Sequence, residues 1–99
     1  MCKSTKPVIY GVGKKEVVNV LCSVTANPTD VEFKWTFNNS AEIIRVPRGR
    51  TVANFSSSTL TYTPVTTMDY GTLMCTASNQ VGVQKDPCIF HIILAGRSN

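Results

Sequence analysis

The sequence predicts an all-β fold, a two-sheet Greek-key sandwich built around one tryptophan. Three observations carry that prediction. Cysteines at 22 and 75 flank Trp35, which lies 13 positions after the first and 40 before the second. Short segments of alternating apolar and polar residues recur along the chain, as strands buried on one face require. Turn-forming clusters separate them, and no segment shows the apolar spacing of a helix.

The elements follow in order. Gly11-Val12-Gly13-Lys14 reads as a turn at the end of a first strand. It lacks the spacing and the following Ser or Thr of a phosphate loop. Val18, Val20, Cys22 and Val24 alternate with outward residues, which makes a strand, and Asn27-Pro28-Thr29-Asp30 is the turn after it. Val31, Phe33, Trp35 and Phe37 alternate again, pointing Trp35 inward, before the turn Asn38-Asn39-Ser40. Residues 42–46 are apolar enough for a short strand, which Pro47-Arg48-Gly49-Arg50 breaks. Residues 51–55 form the next, and 58–63 another, in which Leu60 and Tyr62 alternate. Leu73, Cys75 and Ala77 share the inward face of the strand that follows. Asn79-Gln80-Val81-Gly82 is a tight hairpin in which Gly82 suits a positive φ. Asp86-Pro87 delays the start of the last strand, since proline is tolerated only at strand starts, edges and bulges. Phe90 and Ile92 then face inward. Residues 1–94 are read as the domain, and the polar tail 95–99 as a linker to a further one.

A chain of 99 residues that is 42% hydrophobic holds one domain with one core. Its net charge of +4 favours solubility and weak attraction to polyanions. Nucleic acid is not expected as a partner, because Phe33, Trp35 and Phe37 are claimed by the core and leave no exposed set of stacking aromatics. The longest apolar run, 89–95, is interrupted by His91 and falls far short of the roughly 20 residues of a membrane helix. Met1-Cys2-Lys3-Ser4 has no signal-peptide core. Met1 therefore reads as a start added to an excerpt, with any secretion signal and membrane anchor outside it.

Leu60-x-Tyr62 followed by Asp69-x-Gly71-x-Leu73-x-Cys75-x-Ala77-x-Asn79-x-x-Gly82 resembles the E–F–G region of intermediate or variable-type immunoglobulin domains. That resemblance implies an immunoglobulin-like sandwich with a disulfide between strands B and F. One position departs from the pattern. The family usually places a tyrosine two residues before the second cysteine, where its hydroxyl anchors the bend, and this chain has Leu73. The corner's hydrogen bond is therefore expected to be missing, with Asp69 and Gly71 holding that bend differently. Arg50 stands where many variable-type domains carry an arginine that pairs with the aspartate six residues before the second cysteine, here Asp69. More narrowly, Lys6-Pro7-Val8-Ile9-Tyr10-Gly11, Phe37-Asn38-Asn39-Ser40, Asp69-Tyr70-Gly71-Thr72-Leu73 and Asp86-Pro87-Cys88-Ile89-Phe90-His91 resemble membrane-proximal immunoglobulin domains of the Sidestep family. These are arthropod neuronal surface receptors with several such domains, and the next module in that family would be a fibronectin type III domain.

Four cysteines, at 2, 22, 75 and 88, allow three pairings. The sandwich reading selects Cys22–Cys75, because that pair joins the two sheets. Cys2 and Cys88 then remain for each other, one before the first strand and one in the last, which run side by side in such a domain. Two structural disulfides imply an oxidising compartment, secreted or at the cell surface. A zinc site is not expected, since no C-x₂₋₄-C unit occurs.

No catalytic residue, metal ligand or cofactor is expected: there is no nucleophile–base pair, and His91, the single histidine, reads as a strand residue facing solvent or a polar neighbour. Asn38 and Asn54 head N-x-[ST] tripeptides and are candidate N-glycosylation sites, whereas Pro28 excludes Asn27. A glycan near Asn38 would block part of one sheet face. Arg45, Arg48 and Arg50, with Lys14 and Lys15, form a candidate basic edge for heparan sulfate. The expected function is that of an extracellular interaction or spacer module of a multi-domain adhesion receptor. Its expected partners are a protein on another cell or the neighbouring domains of the same receptor. Axon guidance and cell–cell recognition come from the resemblance alone.

Overall fold

In the computed structural model, residues 2, 7–25, 31–46, 50–54, 56–83 and 87–95 are described. The turn at 27–30, the break at 47–49 with Arg48, and the tail 96–99 lie outside them. The described residues form nine strands: β1 Val8–Val12, β2 Val18–Ser23, β3 Glu32–Asn38, β4 Ile43–Arg45, β5 Thr51–Asn54, β6 Ser57–Tyr62, β7 Gly71–Asn79, β8 Gly82–Val83 and β9 Cys88–Leu94. A 3₁₀ turn, Thr67–Asp69, precedes β7.

Two sheets result. One has the order β1-β9-β7-β3-β4, with β8 also on β7, and the other the order β2-β6-β5. The chain crosses between sheets from β1 to β2, from β2 to β3, from β4 to β5 and from β6 to β7, which gives the Greek-key arrangement. β1 runs parallel to β9, from Val8↔Phe90 to Val12↔Leu94, while the other pairings are antiparallel. Cys2 bridges Val24 beside β2 before the chain reaches β1 in the other sheet. The leading segment therefore touches both sheets.

The alternation read in the sequence decides what lies between them. Val20 and Cys22 of β2, Leu60 of β6, Trp35 and Phe37 of β3, Leu73, Cys75 and Ala77 of β7, and Phe90 and Ile92 of β9 are buried together. A one-residue slip in any of these strands would turn its apolar set to solvent, so burial fixes the register. Strand bounds differ from the sequence reading by a residue or two at the ends. The larger difference is at Gly82, which does not adopt a positive φ. The side chain of Asn79 closes that hairpin, its Oδ1 accepting from the Val81 and Gly82 N–H groups at 2.9 and 3.2 Å. A side-chain acceptor supplies the turn, so the glycine's special backbone freedom is not used. The left-handed residue is instead Lys15, φ 67°, in the turn from β1 to β2.

Candidate functional site

The centre of the sandwich is a junction of four side chains. Cys22 and Cys75 are bonded across the sheets, and neither is exposed. Trp35 sits opposite Cys75 in the β3–β7 register, and Ser58 sits opposite Cys22 in the β2–β6 register. The Trp35 Nε1–H donates to Ser58 Oγ at 3.0 Å. Two ties therefore span the sheets side by side, one covalent and one a hydrogen bond. Trp35 also stacks on Phe90, with centroids 5.7 Å apart. Ser58 was not singled out in the sequence, although a signal existed. A buried indole N–H needs an acceptor, and the period of β6 puts Ser58 on the same face as Leu60.

The second bridge joins Cys2 and Cys88. Cys88 is the register partner of Cys75 on the neighbouring strand, so the two bridges are adjacent. No cysteine is free.

Below the junction, the corner leading into β7 is held by hydrogen bonds. Leu73 occupies the position of the family's tyrosine and is fully buried. With leucine there the family's corner bond is absent, and other groups hold the bend: the Tyr62 hydroxyl, from β6, donates to the Asp69 carbonyl oxygen. Burial, and secondly the Asp69 charge, push the Tyr62 phenol up to about 12. The Asp69 carboxylate accepts from the Val65 and Thr66 N–H groups at 2.8 and 3.0 Å, and these amides lower its pKa. Among the described residues no ion pair joins Arg50 to Asp69. The carboxylate is already occupied by backbone amides, and the Arg50 charge acts instead on Tyr62, whose pKa it lowers. Tyr70 adds a bond from its hydroxyl to the Val12 carbonyl oxygen at 2.8 Å. Gly71 is required by close approach. A Cβ there would lie 2.5 Å from the Asn38 carbonyl oxygen and 3.0 Å from the Phe37 ring.

On the surface, Asn38 ends β3, half-buried, and the alternation with Trp35 and Phe37 turns it outward. Asn54 ends β5 and is exposed. Neither side chain has a hydrogen-bond partner among the described residues. Asn39, next to Asn38, is fully used: its Oδ1 accepts from Ala41 and Glu42 N–H, and its Nδ2 donates to Met68 O at 2.7 Å. The proposed basic edge is divided. Arg45 on β4 and Arg50 before β5 lie at the same edge of the sandwich, both exposed. Lys14 and Lys15 lie in the turn between β1 and β2, the two strands at the opposite edge. His91 is on the outward face of β9, where its Nδ1 lies 3.2 Å from Thr72 Oγ1. Among the described residues no group of three or more His, Cys, Asp or Glu side chains is placed to hold a metal ion. Nor is any helix there long and apolar enough to cross a membrane.

Two sheets locked through a buried cystine and its tryptophan define a β-sandwich of the immunoglobulin kind. The family model "Immunoglobulin domain" matches residues 2–79, and the chain belongs to that family. An I-band fragment of titin is similar to it at 26% identity and a TM-score of 0.72. That match covers 95% of this chain, which spans 31% of the titin fragment. The Dscam1 Ig7 domain, isoform 5, is similar at 20% identity and a TM-score of 0.69, covering 94% of this chain and 96% of its own. The first-domain heterodimer of ZIG-8 and RIG-5 is similar at 13% identity and a TM-score of 0.65, covering 95% and 87%. No curated protein matches the chain significantly. The last two likenesses are likenesses of fold.

Proposed function

We propose that this chain is an extracellular immunoglobulin module of a multi-domain cell-surface receptor, of the membrane-proximal Sidestep kind, serving cell–cell recognition or axon guidance. In this reading it sets reach and orientation for an outer binding domain and performs no catalysis. The observation that carries the proposal is the pair of disulfides with no cysteine left free. Such bridges persist where the medium is oxidising. Solved relatives that include a heterodimer of first domains support protein partners in general.

Glycans belong to the same proposal. Asn54 is exposed, Asn38 faces outward, and both side chains are uncommitted. Sugars there would lie over the outward faces of the two sheets, one each, and hinder a protein from docking on either.

The test is a domain exchange in the full receptor. Replacing residues 1–94 with an unrelated sandwich of equal length should leave cell–cell binding unchanged. Loss of binding on replacement would show that this domain itself docks, and would overturn the spacer role.

A basic edge supports a second reading. Arg45 and Arg50 are exposed at one edge and have no ion-pair partner among the described residues. Weak heparan sulfate binding there predicts salt-sensitive retention on heparin that falls when Arg45, Arg48 and Arg50 are neutralised together. Retention unchanged by those substitutions would reject it.

A further inference from the structure

The Cys2–Cys88 bridge spans 86 positions of a 99-residue chain. Cys2 is the second residue, and Cys88 opens β9, the last strand. A module inside a chain of domains receives tension at its first residues and passes it on at its last. We propose that the Cys2–Cys88 bridge carries this tension past the domain, making it a spacer that does not lengthen under load. The biological use rests on the multi-domain reading above; the force path is a property of this chain alone.

The argument is one of covalent connectivity. From the N-terminus, load runs to Cys2, across the disulfide to Cys88, and out along β9. Residues 3–87 form a closed loop off that path and bear no tension while the bridge is intact. β9 is the one named strand on the path. Its seven residues are already extended, at roughly 3.3 Å each, so straightening it releases almost no length.

The inner bridge cannot do this alone. Without Cys2–Cys88, load would arrive at β1 and β9, which are parallel, and would pull the start of one against the end of the other. Once those hydrogen bonds shear, the chain would pay out until it reached Cys22 and Cys75. Residues 2–22 and 75–95 would be freed, about 40 in all, on the order of 130 Å of chain. The inner bridge therefore limits extension, and the outer one abolishes it.

Single-molecule stretching with handles at the two chain ends tests the proposal. The oxidised wild-type domain should show no extension step before its tether breaks. Cys2→Ser/Cys88→Ser should show a step on the order of 100 Å, the freed contour less the folded separation. A wild-type step equal to the variant's would overturn the proposal. Should the variant fold poorly, its contour length would still exceed the wild-type's, so the comparison stands. Cys2 and Cys88 found reduced in the chain taken from its own cells would sink the extracellular reading instead. That result would leave the mechanics of the oxidised protein unchanged.

Discussion

The two disulfides sit side by side and differ in what they join. Cys22–Cys75 crosses the sandwich from β2 to β7, encloses 53 positions, and is packed against Trp35 with no exposure at either sulfur-bearing residue. Cys2–Cys88 ties the leading segment to the last strand, and Cys2 is only half-buried. The inner bridge belongs to the core, where covalent and packing contributions coincide. The outer bridge belongs to the chain ends, where it constrains connectivity more than packing. Its 86-position span overstates its entropic worth. With the inner bridge in place, the shortcut through Cys22 and Cys75 leaves an unfolded loop of only about 35 residues to close.

Breaking the inner bridge should have the largest effect. Cys22→Ala/Cys75→Ala removes roughly 3–4 kcal/mol of loop-closure constraint, since the outer bridge already shortens that loop, and leaves a void beside Trp35. A total near 5 kcal/mol is enough to unfold a domain of ordinary stability. Urea denaturation followed by Trp35 fluorescence measures it. A loss below about 2 kcal/mol would show that Trp35 and its neighbours hold the sheets without the bridge. Cys2→Ser/Cys88→Ser should cost less, about 3–4 kcal/mol from the loop alone, with the domain still folded and Trp35 still buried. If the order of the two losses were reversed, the division into core bridge and end bridge would be wrong.

The inner junction has a non-covalent half, which sharpens the contrast. Ser58→Ala removes the acceptor of a buried indole N–H, and the expected cost is about 1–3 kcal/mol. Because Ser58 faces Cys22 and Trp35 faces Cys75, its effect should depend on the inner bridge and not on the outer one. A double-mutant comparison of Ser58→Ala with each cysteine pair tests this. Equal coupling to both pairs would contradict the register argument.

Much of this junction could be read in the sequence. Residues that repeat every second position, such as Val18, Val20 and Cys22, or Leu73, Cys75 and Ala77, announce their buried face directly. The Cys22–Cys75 pairing followed from the sandwich those residues imply. The corner was less legible. The sequence offers Leu73 where a tyrosine was sought, and only folding brings Tyr62 to the Asp69 carbonyl, seven positions away along the chain. Arg50 and Asp69 carry opposite charges, yet two local amides reach the carboxylate first. At Gly82 the sequence suggests a left-handed residue, but the preceding Asn79 makes the turn with its side chain. Each miss has one cause: a polar side chain chose a backbone partner that residue types alone do not identify.

The corner has no covalent tie of its own and sets the smallest expected effect. It should loosen at both ends of the pH scale. At the acid end, the Asp69 pKa is lowered in the fold, so its contribution is present above the unfolded value near 3.8 and is lost as pH falls through the folded one. At the alkaline end, the Tyr62 phenol rises from 10.0 to about 12 in the fold. Its contribution is complete below pH 10 and is lost as pH rises toward 12. Asp69→Ala should therefore cost about 1 kcal/mol at neutral pH and flatten the acid limb. Tyr62→Phe should cost a similar amount, about 1 kcal/mol, and flatten the alkaline limb. Thermal melts from pH 2 to 12 measure both, with the inner and outer bridges intact throughout by mass. An alkaline limb that survives Tyr62→Phe would assign it to another phenol, Tyr70 being the nearest in sequence. The corner would then rest on the Tyr70 bond to Val12 rather than on the Tyr62 bond to Asp69.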